Sequence, residues 1–173
     1  EKDSLYHVFN RAIGDELLFR SDKNYRYFLK KYALYLSESV ETISFCLLPN
    51  HFHFFVRVVD ERNVSQNLKR LFQSYSLAYN RYYDRKGALF DRPFKRKEVV
   101  IHDHISLLIR YIHQNPQKHG YIDDFRQWPW SSWNEVYSES QSRITASFIE
   151  KWFLSRAEFN DFHGFIEGRS SLE

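Results

Sequence analysis

The sequence predicts an α+β domain, a small antiparallel sheet with helices packed on it, and three observations carry that expectation. Stretches in which apolar and polar side chains alternate (residues 5–13, LYHVFNRAI, and 51–58, HFHFFVRV) are separated by stretches whose apolar residues recur every three or four positions. Pro49-Asn50 lies between two β-type runs and leaves room only for a tight turn, so those runs pair antiparallel. A chain of 173 residues with 43% hydrophobic content can bury one proper core without disulfide staples, which predicts a single domain over 1–173.

Each element follows from its own pattern. Residues 5–13 read as a strand. Ser21 or Asp22 can cap a helix whose stripe is Tyr25, Phe28, Leu29, Tyr32 and Leu36. Residues 41–48 (ETISFCLL) and 51–58 form a hairpin, expected to supply two central strands. Helical spacing returns from Asn63 to about Asp84 on Leu68, Leu71, Phe72, Tyr75 and Tyr79, and Gly87 ends it before an extended basic arm at 88–100. A third helix is expected from about His102 to Asn115, stopped by Pro116, because a residue preceding proline is pushed out of the helical region. A Trp-rich turn (WPWSSW, 128–133) and two short helical stretches, about 145–155 and 156–167, complete the chain.

Composition narrows the function classes. No apolar stretch reaches the roughly 18 residues of a membrane span, and no signal peptide is evident. Met is absent throughout, so a trimmed natural start is expected. The lone Cys46, inside ISFCLL, reads as a small buried hydrophobe and fits a reducing cytosol. Aromatic content is high at 18%, and the formal charge is only +3. The cations are clustered, however. Arg81 to Lys97 interleaves Arg85, Arg92, Lys95, Arg96 and Lys97 with Tyr82, Tyr83, Phe90 and Phe94. Cations for phosphates and flat rings for bases suit single-stranded nucleic acid, although a solvated basic hairpin would show the same composition.

Two groups of residues could carry chemistry. In a strand, His51 and His53 project to one face while Phe52 and Phe54 point to the other, which makes half of a metal site or a pair of surface histidines. Their tight apolar frame, CLLPNHFHFFVRV, argues against a solvated edge. His102 and His104 share the same spacing but fall at a helix start, about 200° apart around the axis, where they cannot converge on one ion. In the third helix, Ile105, Leu108, Ile109 and Ile112 form the core stripe, and Tyr111 and Asn115 project together at i and i+4. Tyr111 could serve as a nucleophile helped by a metal, and Asn115 could offer an amide oxygen beside two imidazoles to Mg²⁺ or Mn²⁺. Alternatively Tyr111 packs at the core rim and Asn115 caps the helix. Tyr75 and Tyr79 are rival tyrosines, but they align with the core stripe of their helix.

Four segments taken together, PNHFHFFV (49–56), NRYYDRKGALFDRPFKR (80–96), RYIHQNPQKHG (110–120) and WPWSSW (128–133), resemble in this order the REP-associated tyrosine transposases. These are relatives of the IS200-like transposases within the HUH superfamily of single-strand endonucleases. The likeness spans about residues 5–135 and leaves about 136–173 as a C-terminal helical extension. It implies a ferredoxin-like core, with His51, His53 and Asn115 holding Mg²⁺ or Mn²⁺ and Tyr111 forming a 5′-phosphotyrosine while a 3′-hydroxyl leaves. It further implies imperfect DNA hairpins as the partner, with Arg11, Arg85, Arg92, Lys95, Arg96 and Lys97 as candidate DNA contacts. No nucleotide cofactor is implied, and no phosphate-cradling glycine loop is present. Relatives include homodimers that exchange their tyrosine helices, so a homodimer is one expected state, and a nucleoid-associated cytoplasmic location follows from the partner. A hairpin-binding protein that no longer cuts, and a relaxase- or replication-initiator-like nuclease, are the competing readings.

Overall fold

The computed structural model describes residues 1–91, 93–100, 102–136, 152–153 and 155–164. Its elements are β1 (Leu5–Arg11), α1 (Asp22–Leu36), β2 (Val40–Leu48), β3 (His51–Val58), α2 (Val64–Tyr82), β4 (Lys95–Glu98), α3 (His102–Lys118) and, after two 3₁₀ turns, α4 (Arg156–Gly164). The four strands form one antiparallel sheet in the order β2-β3-β1-β4. This βαββαβ succession in that order is the expected ferredoxin-like arrangement.

The pleat decides what each face holds. Phe52 and Phe54 point toward α1 and α2, where Phe52 meets Phe28 at 5.3 Å and Phe72 at 5.7 Å, and Phe54 stacks on Tyr32 at 4.2 Å. The buried residues of α1 and α2 are the ten predicted stripe residues. The opposite face carries His51 and His53 and is covered over β2 and β3 by α3.

Only β3 of the hairpin is central, which corrects the expectation of two central strands. β2 ends the sheet but is buried almost throughout, because the Trp-rich turn covers its free edge. Leu47 N–H donates to Trp130 O at 2.8 Å, Ser132 N–H to Phe45 O at 2.9 Å, and Trp128 Nε1–H to Leu47 O at 2.9 Å. An edge that pairs with its own chain no longer looks polar in sequence.

Helix α3 does not stop before Pro116 but continues to Lys118. A proline in a last turn removes only one donor, and packing outweighs the local bias: Asn115 is fully buried and its Nδ2–H donates to Tyr111 O at 2.8 Å. The stop is Gly120, at φ 71°, where Gly120 N–H meets Gln117 O at 3.0 Å and Tyr121 N–H meets Pro116 O at 2.9 Å. These are the two bonds of a Schellman cap. The extra turn places Lys118 and His119 beside the histidine face.

The rival tyrosines are structural. Tyr75 Oη donates to Leu18 O at 2.5 Å and Tyr79 Oη to Leu17 O at 2.6 Å, tying α2 to the loop after β1. Tyr75→Phe strips a buried carbonyl of its donor, which costs about 1–3 kcal/mol, or a melting-temperature drop of roughly 3–10 °C, with DNA chemistry retained. A thermal melt and a DNA-adduct assay on the same variant check this, and loss of the adduct with an unchanged melt would overturn it.

Of the two C-terminal helical stretches, the one predicted near 145–155 falls largely outside the described residues, and the other is α4. Phe159 and His163 of α4 are buried against Trp133, and a buried polar chain joins α4 to α3 and β2. His163 Nδ1 is 2.7 Å from Phe159 O, His163 Nε2 is 3.0 Å from His113 Nδ1, and His113 Nε2 is 2.8 Å from Ser132 Oγ. Ser132 Oγ in turn accepts Phe45 N–H at 2.8 Å.

Candidate active site

His51 opens β3 immediately after the Pro49-Asn50 turn, and His53 follows on the same face. Their rings lie 5.1 Å apart at 88°. Each has its Nδ1 engaged: His51 Nδ1 lies 2.7 Å from Asn50 Oδ1, and His53 Nδ1 lies 2.9 Å from His7 Nε2. The Nε2 atoms remain to face the site, and that of His53 is buried with no hydrogen-bond partner among the described residues.

Helix α3 supplies the other half. The Tyr111 ring stands edge-on to His53 at 5.6 Å and to His7 at 6.4 Å, and it is nearly fully buried. The Asn115 side chain acts on His51, favouring its protonated form. Asn115 Oδ1 is buried and accepts no hydrogen bond of good geometry among the described residues. The structure therefore brings His51, His53, Tyr111 and Asn115 together.

Burial dominates the electrostatics. Desolvation, aided by His119 and Arg11 and opposed by Asn115, holds His51 near a pKa of about 4. Desolvation, with Lys97, holds His7 at about 4. Desolvation and the neighbouring His7, His51 and His119 push His53 well below the usual imidazole range. The three rings are neutral near pH 7, which is the state that ligates metals.

Two imidazole nitrogens and an amide oxygen are a donor set that could hold a divalent cation, and among the described residues His53 Nε2 and Asn115 Oδ1 are buried with no hydrogen bond of good geometry. Buried unsatisfied acceptors are costly, and a bound cation removes that cost. No cluster of three or more His, Cys, Asp and Glu side chains suited to a metal occurs among the described residues, so this set depends on the amide.

The candidate DNA contacts scatter more widely. Arg11 is exposed and pairs in register with His51. Lys95 and Lys97 are opposite Phe9 and His7, so they share the histidine face; Arg96, opposite Val8, lies on the other face, 3.4 Å from Ser65 Oγ. Arg85 turns inward: its guanidinium binds Glu16 at 2.6 Å, Asn80 Oδ1 at 3.0 Å and Ala88 O at 2.7 Å. Its role in the structure is to pin a loop. Arg92 is outside the described residues. His104 of the second His-x-His is exposed.

Three neighbours were missed in the sequence. His7 touches His53, His119 lies 4.8 Å ring to ring from His51, and Lys118 Nζ sits 5.2 Å from the Tyr111 ring centroid. Lys118 and His119 follow Tyr111 and Asn115 by seven and four positions, a helical signal that the expected stop at Pro116 concealed. A cavity of about 130 Å³ lined by Val8, Leu36, Phe52 and Phe54 lies on the opposite face of the sheet, in the apolar core.

No family model matches the sequence. A Haemophilus influenzae protein with the curated name "Putative REP-associated tyrosine transposase" is 25% identical over 57% of this chain and 65% of its own length. The chain thus spans a little under two thirds of that relative. The fold is similar to that of a REP-associated tyrosine transposase solved with a REP hairpin bound, at a TM-score of 0.67 and 15% identity, over 80% of this chain and 82% of the other. The resemblance carried by the four motifs is borne out. Among the described residues no helix is long and apolar enough to cross a membrane.

Proposed function

We propose that this protein is a metal-dependent single-stranded DNA endonuclease and strand transferase that acts at hairpins through a 5′-phosphotyrosine. The observation that carries the reading is the meeting of Tyr111 with His51, His53 and Asn115 between β3 and α3, where His53 Nε2 and Asn115 Oδ1 are buried with no hydrogen bond of good geometry among the described residues. The named relatives, one of them bound to a REP hairpin, support hairpin DNA as the partner.

Mg²⁺ or Mn²⁺, held by His51, His53 and Asn115, would supply Lewis-acid stabilisation of charge on the scissile phosphate. Tyr111 Oη forms the new P–O bond as the P–O3′ bond breaks; the phenol proton is released and the departing 3′-oxygen takes one up. The phosphodiester is exchanged for another ester, so no nucleotide is consumed, and attack by a second 3′-hydroxyl reverses the step and joins strands. Arg11, Lys95 and Lys97 share the histidine face and would hold backbone phosphates there, with the half-buried Phe9 between them as a stacking surface. Arg85, engaged within the protein, is not part of that surface.

The test is a labelled single-stranded hairpin incubated with protein and Mn²⁺. A gel-stable adduct is expected, lost on chelation with EDTA, and lowered by about 10²–10³-fold in His51→Ala or His53→Ala. An adduct that survives EDTA refutes the metal, and tight binding with no adduct on any hairpin supports a non-cutting hairpin binder instead.

A further inference from the structure

We propose that His7 is a positioning residue: it fixes the tautomer and the ring plane of His53 so that His53 Nε2 is the atom presented to the metal. The inference rests on the metal reading above and concerns a residue outside its ligand set.

His7 lies on β1, the strand that pairs with β3, two residues before Phe9, which stands opposite His53. It is buried, its Nε2 is 2.9 Å from His53 Nδ1, and the two rings stack at 5.1 Å and 22°. A single hydrogen occupies that contact when both rings are neutral. If His53 carries it on Nδ1, His7 Nε2 accepts it and the lone pair of His53 Nε2 points into the site. If His7 donates instead, the proton of His53 sits on Nε2, a buried atom with no acceptor among the described residues, and the ligand position is blocked. Only the first arrangement can bind a cation. His51 is held in the same sense by Asn50, so both ligands are oriented through Nδ1.

His7→Phe keeps a ring of similar size but removes the acceptor, and the proton of His53 is then free to move to Nε2. His7→Gln restores an acceptor oxygen near the position of Nε2. With the whole protein and no DNA, Mn²⁺ titrated under electron paramagnetic resonance is expected to bind about 10–100-fold more weakly to His7→Phe and close to normally to His7→Gln. In parallel, long-range ¹⁵N–¹H spectra of the metal-free wild type should show His53 protonated on Nδ1. Normal Mn²⁺ affinity in a folded His7→Phe overturns the proposal while leaving the metal site intact. Should His7→Phe not fold, the wild-type spectrum decides, and His53 protonated on Nε2 overturns it. If the wild type itself binds no Mn²⁺, or His53→Ala binds it equally well, the metal reading has failed instead.

Discussion

Tyr111→Phe is expected to abolish the protein–DNA adduct, by at least about 10³-fold, while the protein still binds hairpin DNA and melts close to wild type. The size of the effect follows from the proposed mechanism, in which the phenol oxygen of Tyr111 forms the covalent bond and a phenyl ring offers no replacement. Stability is spared because the ring, packed edge-on against His53 and His7, is retained. Tyr75 and Tyr79 make the comparison sharp, since their hydroxyls are occupied by the carbonyls of Leu18 and Leu17 and their substitution moves the melting temperature instead. The assay is denaturing electrophoresis of the labelled hairpin with each variant in Mn²⁺. An adduct that persists in Tyr111→Phe and vanishes in Tyr75→Phe would assign the nucleophile to α2.

What the sequence disclosed is what depends on local periodicity. The stripes of α1 and α2 and the alternation of β3 were legible, because one apolar face packed on one sheet leaves a repeat in the chain. His51, His53, Tyr111 and Asn115 were legible as pairs for the same reason, two apart in a strand and four apart in a helix. What was hidden depends on pairing between distant segments. His7 becomes a neighbour of His53 only because β1 inserts beside β3, and Arg85 turns inward only because Glu16, 69 residues earlier, meets it. The burial of β2 as an edge strand depends on the turn at 130–132 returning to cover it. At Pro116 the local bias was real but weaker than the packing of α3, whose cap at Gly120 decided the boundary.

The C-terminal helix leads to the second large expectation, cooperative unfolding in mild acid. In the chain from Phe45 to Phe159, the neutral state satisfies every link: Ser132 Oγ–H donates to His113 Nε2, His113 Nδ1–H to His163 Nε2, and His163 Nδ1–H to Phe159 O. Protonation of either ring puts a charge into this buried chain, and the charged side chains acting on His163 are the cations Arg110 and Arg126. Burial accordingly lowers both, His163 to about 3 with Arg110 and Arg126 adding to the effect, and His113 well below 6.5 with His163 facing it. A folded-state pKa below the unfolded one means that the unfolded chain binds more protons as the pH falls through 6.5, so stability rises with pH across the window from about 3 to 6.5 and is flat above it. His163 withdraws about 2 kcal/mol between pH 7 and pH 5, and His113 acts in the same direction. His7, His51 and His53 act in the same direction in the metal-free protein. Against a stability of roughly 5–15 kcal/mol for a domain this size, losses in one common direction should lower the urea midpoint measurably from pH 7 to pH 5. His163→Gln, which has no proton to take up, should flatten the profile by about 1.4 kcal/mol per pH unit whatever it does to stability at pH 7. Equal midpoints at the two pH values would mean that these rings bind protons without unfolding the chain, and that the chain linking α4 to α3 is not held in its neutral form.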